Sequence, residues 1–475
     1  MSTVASALET AAAAAADATT TSTSTLSPAD VPLRAEAVTV TSTATPRRRF
    51  ASLRKNSFAL ADQVVISGTN FVTGVLTARA LDQNEFGQFS VIYAGLLFAN
   101  ILQSTLVTQA HNVLGATRRG DDYRRYTSST AAQQLAIAAL LALLVLPLTF
   151  LAFARGWASA PMLLAVIPAI VFWQFQEFVR RVLYTEQRYA RAFANDLVAY
   201  GGQGILLVAL FASHKLYATP FTGAMAFYAM AVACAIASGI GAFQLRHDLA
   251  RHVDWTHIKE NWHFGKWLAG GELMGWCSSL HMQVWWAALL LGTAASADLR
   301  AAMILFGPAR VISFFLSSVL PTKFAKALEG GGPDALHAKL KIVYLGLIPS
   351  VGVYCLLLAA FPRQVLWLIY GDRYVDDGSA AAVLVLYAIA AFLNYMQLVV
   401  AAALTASRQT HHIFIGSLVG CCVALTMSPL LIRTFHANGA ILSMITTTLV
   451  VGMLFVYAYV RRVRHAAVLS AKEDA

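Results

Sequence analysis

Arg310 stands near the middle of the apolar stretch 299–321, which makes its guanidinium the first candidate for chemistry. A charge at the centre of such a stretch costs roughly 2.5 to 3.5 kcal/mol to insert into hydrocarbon, so it is expected to face a protein interior. Its planar fork of donors suits phosphate oxygens, and a structural salt bridge to Glu272 or Asp62 is the alternative. Those two carboxylates occupy the early turns of the apolar stretches 265–291 and 58–80. At that depth a carboxylate marks an ion path or an arginine's partner, and its protonation could couple a proton to a conformational cycle. Interface anchoring is the plainer reading. His281, deeper in 265–291, either titrates near neutrality or packs as a hydrogen-bonded ring. Arg79, at the far end of 58–80, either meets an anion or snorkels to an interface. Arg180, Arg181, Arg188 and Arg191 follow the stretch 161–183, with Glu177 and Asp196 close by. They could draw in an anion, or they could simply orient the chain.

The elements that must position these residues are long and greasy. Of 475 residues, 58% are hydrophobic and only 12% charged, against roughly 25% charged in a soluble domain. The mean hydropathy is +0.61. A chain this poor in polar surface needs the bilayer as its solvent. Apolar stretches recur at 58–80, 87–110, 130–153, 161–183, 194–213 and 221–243, then at 265–291, 299–321, 342–369, 379–404, 411–432 and 438–460. Each is long enough to cross about 30 Å of hydrocarbon. The expected fold is therefore an all-α polytopic membrane protein of about twelve transmembrane helices. The widest polar interval, 244–264, reads as a cytoplasmic linker between two bundles of about six helices, 47–243 and 265–464. Residues 1–46 are low-complexity Ala, Thr and Ser and are expected to be a disordered tail; 465–475 forms the opposite tail.

The net charge of +11 does not point to nucleic acid, because the basic residues sit in short clusters between the apolar stretches. With the N-terminus inside, about 27 of the 35 basic residues fall on the cytoplasmic side, which favours an even span count and both termini in the cytoplasm. Arg47, Arg48, Arg49, Arg54 and Lys55 open this pattern and suit anionic membrane lipid.

Several chemistries find no support. The chain has no G-x-x-x-x-G-K-[ST] run, so energy must come from an ion gradient, the substrate's own gradient or a partner. H-E-x-x-H and G-x-S-x-G are absent as well, and no nucleophile and base can be paired, so an enzyme is not expected. His247, His252, His257 and His263 recur at steps of five and six, unsuited to a metal on one helix face. The five cysteines lie in apolar stretches without a C-x-x-C pair, so neither a metal nor a cofactor is expected. Trp255, Trp262, Trp267 and Trp276 read as an aromatic belt, although such faces also stack on sugars.

The order of several motifs resembles one family. Gly68 through Arg79, leading to the turn Glu85-Phe86-Gly87, is similar to the opening helix of the Wzx-type polysaccharide flippases of the multidrug/oligosaccharidyl-lipid/polysaccharide exporter superfamily. Phe178 through Arg188 after the fourth stretch, and Gly307-Pro308-Ala309-Arg310 with Pro321 beyond, fit the same family. The resemblance runs from about Phe58 to Arg464. It implies two six-helix bundles around a central cavity and alternating access. The cargo would be a polyprenyl-diphosphate-linked oligosaccharide crossing the bacterial inner membrane for exopolysaccharide or O-antigen synthesis. It also makes Arg79 a substrate contact, since the related lipid II flippases use cavity arginines in their first helix, and it makes polysaccharide polymerase or export machinery further partners. The alternatives are a multidrug or cation antiporter of the same superfamily, expected to show acidic residues deep in its cavity, and a membrane-embedded glycan polymerase or ligase, expected to show a large outer loop.

Overall fold

The computed structural model describes residues 46–154, 160–250, 252–309, 312–313, 315–374 and 378–473. The tail expected at 1–46 lies outside them up to residue 45, and so does Arg310. Among the described residues the chain is helical throughout, and eight helices are long and apolar enough to cross a membrane.

The first half comprises α1 (Pro46–Ala80), α2 (Gln83–Gln103), α3 (Gln109–Leu114), α4 (Gly120–Ala154), α5 (Ala160–Thr185), α6 (Tyr189–Asp196), α7 (Gly202–Tyr217) and α8 (Gly223–Leu245). Two joints within it are π-helical: Ser104–Thr108 joins α2 to α3, and Leu197–Gly201 joins α6 to α7. The second half comprises α9 (Trp255–Cys277), α10 (Leu280–Leu291), α11 (Thr293–Leu305), α12 (Leu320–Ala360), α13 (Pro362–Tyr370), α14 (Ser379–Ala406) and α15 (Thr410–Glu473), with a third π segment at Phe315–Val319.

Helix ends differ from the hydropathy pattern at identifiable residues. The stretch 265–291 is two helices, because α9 ends at Cys277 and α10 restarts after Ser279, whose backbone is extended. The stretch 342–369 breaks at Phe361, where Pro362 opens α13 as proline opens helices generally. α12 itself bends at Gly331 and Gly332, and α15 bends at His436. Each of these two helices therefore holds two rods.

The interval 244–264 is only partly linker: α8 ends at Leu245 and α9 already begins at Trp255. Asp254 starts α9 by accepting the Thr256 backbone N–H, a side-chain cap. The polar turns of α9 are helical because they pack on α4. There the Tyr126 hydroxyl donates to Asn261 over 2.6 Å, and Asn261 donates to Gln133 over 2.8 Å. Arg118 adds an ion pair to Glu260 at 2.6 Å and lies 4.5 Å over the Tyr126 ring.

The core is built from small residues. In α8, Ala226, Ala229, Ala233 and Ala237 are buried against α5, and small side chains let membrane helices approach closely. Large apolar residues such as Phe150, Ile205 and Leu216 face outward, as a lipid-solvated surface requires.

Candidate functional site

A central cavity lies between α1 and α2 of the first half and α10, α11, α14 and α15 of the second. Its inner part, about 270 Å³, is lined by Asn70, Tyr93, His281, Arg300, Asn394 and Tyr395 among others. An adjoining part of about 530 Å³ shares His281, Met303 and Asn394 and adds Asn100, Glu272 and Ser417. The combined wall is mixed, with Asn70, Asn100, Glu272, His281, Arg300 and Asn394 set among apolar side chains, so it has the few convergent polar groups of a binding site.

Among the described residues, Arg300 is the arginine that lines the inner cavity. It is only 8% exposed, and its guanidinium lies 4.4 Å from the centre of the Tyr93 ring, a cation–π arrangement. The Tyr93 hydroxyl in turn donates to Asn70 over 3.3 Å. Three tyrosines fasten the backbone that carries Arg300. Tyr370 donates to the Ala301 carbonyl over 2.8 Å, Tyr395 to the Ala309 carbonyl over 2.9 Å, and Tyr354 to the Leu305 carbonyl. Upstream, α11 folds back on α10 through Gly292, whose φ of +98° and ψ of 167° fall where only glycine is at ease.

His281 and Trp276 line one side of the cavity, with Trp285 and Phe98 packed against Trp276. His281 stacks on Trp276 with centroids 5.1 Å apart, and Trp276, Trp285 and Phe98 meet at 5.6 to 5.7 Å. The Trp285 indole donates to the Val91 carbonyl over 3.1 Å, tying α10 to α2 across the halves. Flat rings beside polar groups suit sugar faces as well as they suit packing.

The residues singled out in the sequence fall into three places. His281 and Glu272 line the central cavity. Arg79 lies away from it, at the end of α1, where its guanidinium donates to the Leu368 and Ile369 carbonyls over 2.7 and 2.6 Å. It thus caps the C-terminal end of α13 from the other half. Arg180 points into the first half, pairing with Glu177 at 3.2 Å and with Asp196 at 3.8 Å. Tyr200 donates to Glu177 over 2.7 Å, Trp173 donates to the Tyr200 hydroxyl over 3.1 Å, and Gln176 donates to Asp196. Arg181 is the half-buried neighbour of Arg180. Asp62, 3% exposed, accepts from Tyr184 over 2.8 Å beside this network. The π segment Leu197–Gly201 has a visible use here, since a wide turn disturbs the helix ladder and the Tyr200 carbonyl is taken by Thr69 of α1 over 2.9 Å.

Sequence reasoning passes over Arg300. It belongs to the same stretch as Arg310 but sits beside the stretch's edge, where an arginine reads as interfacial. The readable signal was the pair Asp298 and Arg300 in an alanine-rich turn. Asp298 accepts from Gln83 over 3.1 Å and from Ser379 over 2.6 Å.

Further ties close the same end of the cleft as Arg79. Thr293 donates to Asn84, and Phe86 meets Tyr374 edge-on with centroids 6.5 Å apart. A Cβ on Gly87 would collide with the Thr293 carbonyl.

No protein-family model and no curated protein sequence matches the chain. Solved structures do. A multidrug resistance MATE family transporter of the MOP superfamily, in an inward-facing conformation, is similar at TM-score 0.65 and 14% identity, over 85% of this chain and 95% of its own. The chain has the fold of these transporters. The lipid II flippase MurJ in an inward closed conformation gives TM-score 0.61 at 12% identity, over 86% of this chain and 87% of its own. A MOP superfamily transporter from Pyrococcus furiosus Vc1 (DSM3638), described as having a binding pocket of reverse polarity, gives 0.55 at 13% identity over 87% and 93%. All three are transporters, and the long apolar helices make this chain a multi-pass membrane protein of their architecture.

Proposed function

We propose that the chain is a flippase that moves a polyprenyl-diphosphate-linked oligosaccharide across the bacterial inner membrane by alternating access, serving exopolysaccharide or O-antigen synthesis. The observation that carries this reading is Arg300, a buried guanidinium over the Tyr93 ring in the wall of the cavity that His281 also lines. A fixed cation beside amide and aromatic groups is arranged for an anionic head bearing sugars. Arg310, in the same apolar stretch, is proposed as a second contact to the diphosphate, Arg79 as a residue that gates its path and Arg181 as one that guides it, whereas Arg180, paired with Glu177 and Asp196 inside the first half, is read as structural. Asp62, Glu272 and His281 are the proposed sites of ion coupling. In this reading about twelve spans form the two halves 47–243 and 265–464, both termini are cytoplasmic, and the polymerase or export machinery takes the product.

The test is complementation of a flippase-deficient strain. Arg300→Ala should accumulate normally yet lower glycan export by about tenfold or more, the worth of one charge-assisted hydrogen bond. Arg300→Lys should recover part of it, because an ammonium keeps the charge but loses the fork. Full export by a normally expressed Arg300→Ala protein removes the central cavity from the substrate path. Cation antiport is the second reading, and Glu272 in the cavity wall is what favours it. Proton-driven efflux of an organic cation that is lost in Glu272→Gln, with glycan export unaffected, would decide for that reading.

A further inference from the structure

A second concavity lies in the second half, between α12, α14 and α15, and it adjoins the central cavity, with which it shares Gln397 and Thr448. It has a volume of about 820 Å³. Its deep end is formed by Leu393, Gln397 and Thr448, and its shallow end by Val456, Tyr457 and Arg461. The walls are pinned. The Tyr344 hydroxyl of α12 donates to the Met396 carbonyl of α14 over 2.9 Å, and Tyr459 of α15 stacks on His337 of α12 with centroids 6.5 Å apart. The trough is thus part of the packed bundle rather than a gap between loose side chains. Its outer rim faces lipid, with Met453 and Tyr457 each 64% exposed. At 1.5 Å per residue, Thr448 to Arg461 spans about 20 Å, roughly two thirds of a 30 Å hydrocarbon core.

The outer part of the trough faces lipid, and an unfilled apolar volume forfeits its contacts, so a lipid chain is the filling that the bilayer supplies there. Charge selects the lipid. The shallow end carries Arg461, and Lys341 lies on α12 one turn before Tyr344; both are exposed. We propose that this trough is a resident site for one anionic glycerophospholipid of the cytoplasmic leaflet, with an acyl chain along Gly452 and Val456 and the phosphate at Arg461 and Lys341. The trough meets the central cavity at Gln397 and Thr448, and the lipid assignment is told apart from the flippase reading by the headgroup recovered, a glycerophosphate rather than a polyprenyl diphosphate. It rests only on the basic ends of α12 and α15 lying at the cytoplasmic face.

Gly452 gives a clean test, because a Cβ added there meets nothing within 4 Å. A phenylalanine can therefore be introduced there without a clash at its Cβ, and its ring is the bulk that competes with a lipid chain for the trough. The full chain, purified in detergent and supplied with phosphatidylglycerol or phosphatidylcholine, would be examined by native mass spectrometry. The wild type should retain one phosphatidylglycerol that Gly452→Phe lacks. Arg461→Gln should need about fivefold more phosphatidylglycerol for equal occupancy, one surface cation's worth of attraction, with phosphatidylcholine retention unchanged. Equal retention by wild type and Gly452→Phe would overturn the proposal. So would indifference of the wild type to headgroup charge, or recovery of a polyprenyl diphosphate from the trough in place of a glycerophospholipid.

Discussion

Arg180 shows how the meaning of one residue depends on depth. Its sequence neighbours suggest a basic mouth, yet the side chain turns inward because Glu177, one helical turn earlier, and Asp196 on the next helix both stand at its level. The i, i+3 pair was legible in the sequence; the approach of Asp196 was not, because it depends on how α6 packs beside α5. Removing the cation would strand two buried carboxylates, which costs about 3 to 5 kcal/mol in comparable cases. Arg180→Ala should therefore accumulate poorly in membranes, and adding Glu177→Gln should restore part of the level, as measured by immunoblot and detergent melting. A normal level of Arg180→Ala with lost export would instead assign the arginine to the cargo path. Arg300 was obscured for a related reason: hydropathy scores distance from the edge of a stretch, whereas its burial comes from α2 and Tyr93 folding over it.

At the scale of elements, the long apolar segments were plain in the sequence because about 20 apolar residues in a row have few other solvents. The joints were harder. Pro362 and the pair Gly331 and Gly332 are readable as breaks. The restart after Ser279 and the π segments are not, because their causes are tertiary contacts. The π segment Ser104–Thr108 is gripped by α9: a Cβ on Gly265 would stand 2.7 Å from the Thr105 carbonyl and 2.8 Å from the Leu106 Cα. Both are main-chain atoms that cannot swing aside. Gly265→Ala should therefore lower stability by about 1 to 3 kcal/mol, read as a fall in the melting temperature of the purified protein. Gly270→Ala on the same helix, where the added carbon meets nothing within 4 Å, is the control and should melt like the wild type.

For the whole molecule, the charge pattern predicts sidedness. Reporter tags at Ala475 and between Thr322 and Lys341 should both signal cytoplasm, and an outward signal from Ala475 would make the span count odd. The structure adds a seal at the opposite end, where 79–87 meets Thr293, Asp298, Leu368, Ile369 and Tyr374. With the natural cysteines replaced and Asn394→Cys as a cavity probe, an impermeant maleimide should label the wild type slowly from outside. Arg79→Ala should label about tenfold faster or more, since it loses two charge-assisted hydrogen bonds that hold the seal. Unchanged labelling would show that Arg79 does not hold the halves together. Because so much of that closure comes from one short run of chain, it also offers a handle that needs no entry into the membrane. An antibody fragment that wedges between Gln83 and Asp298 would have to hold the two halves apart to stay bound, and would so arrest the alternating access proposed above.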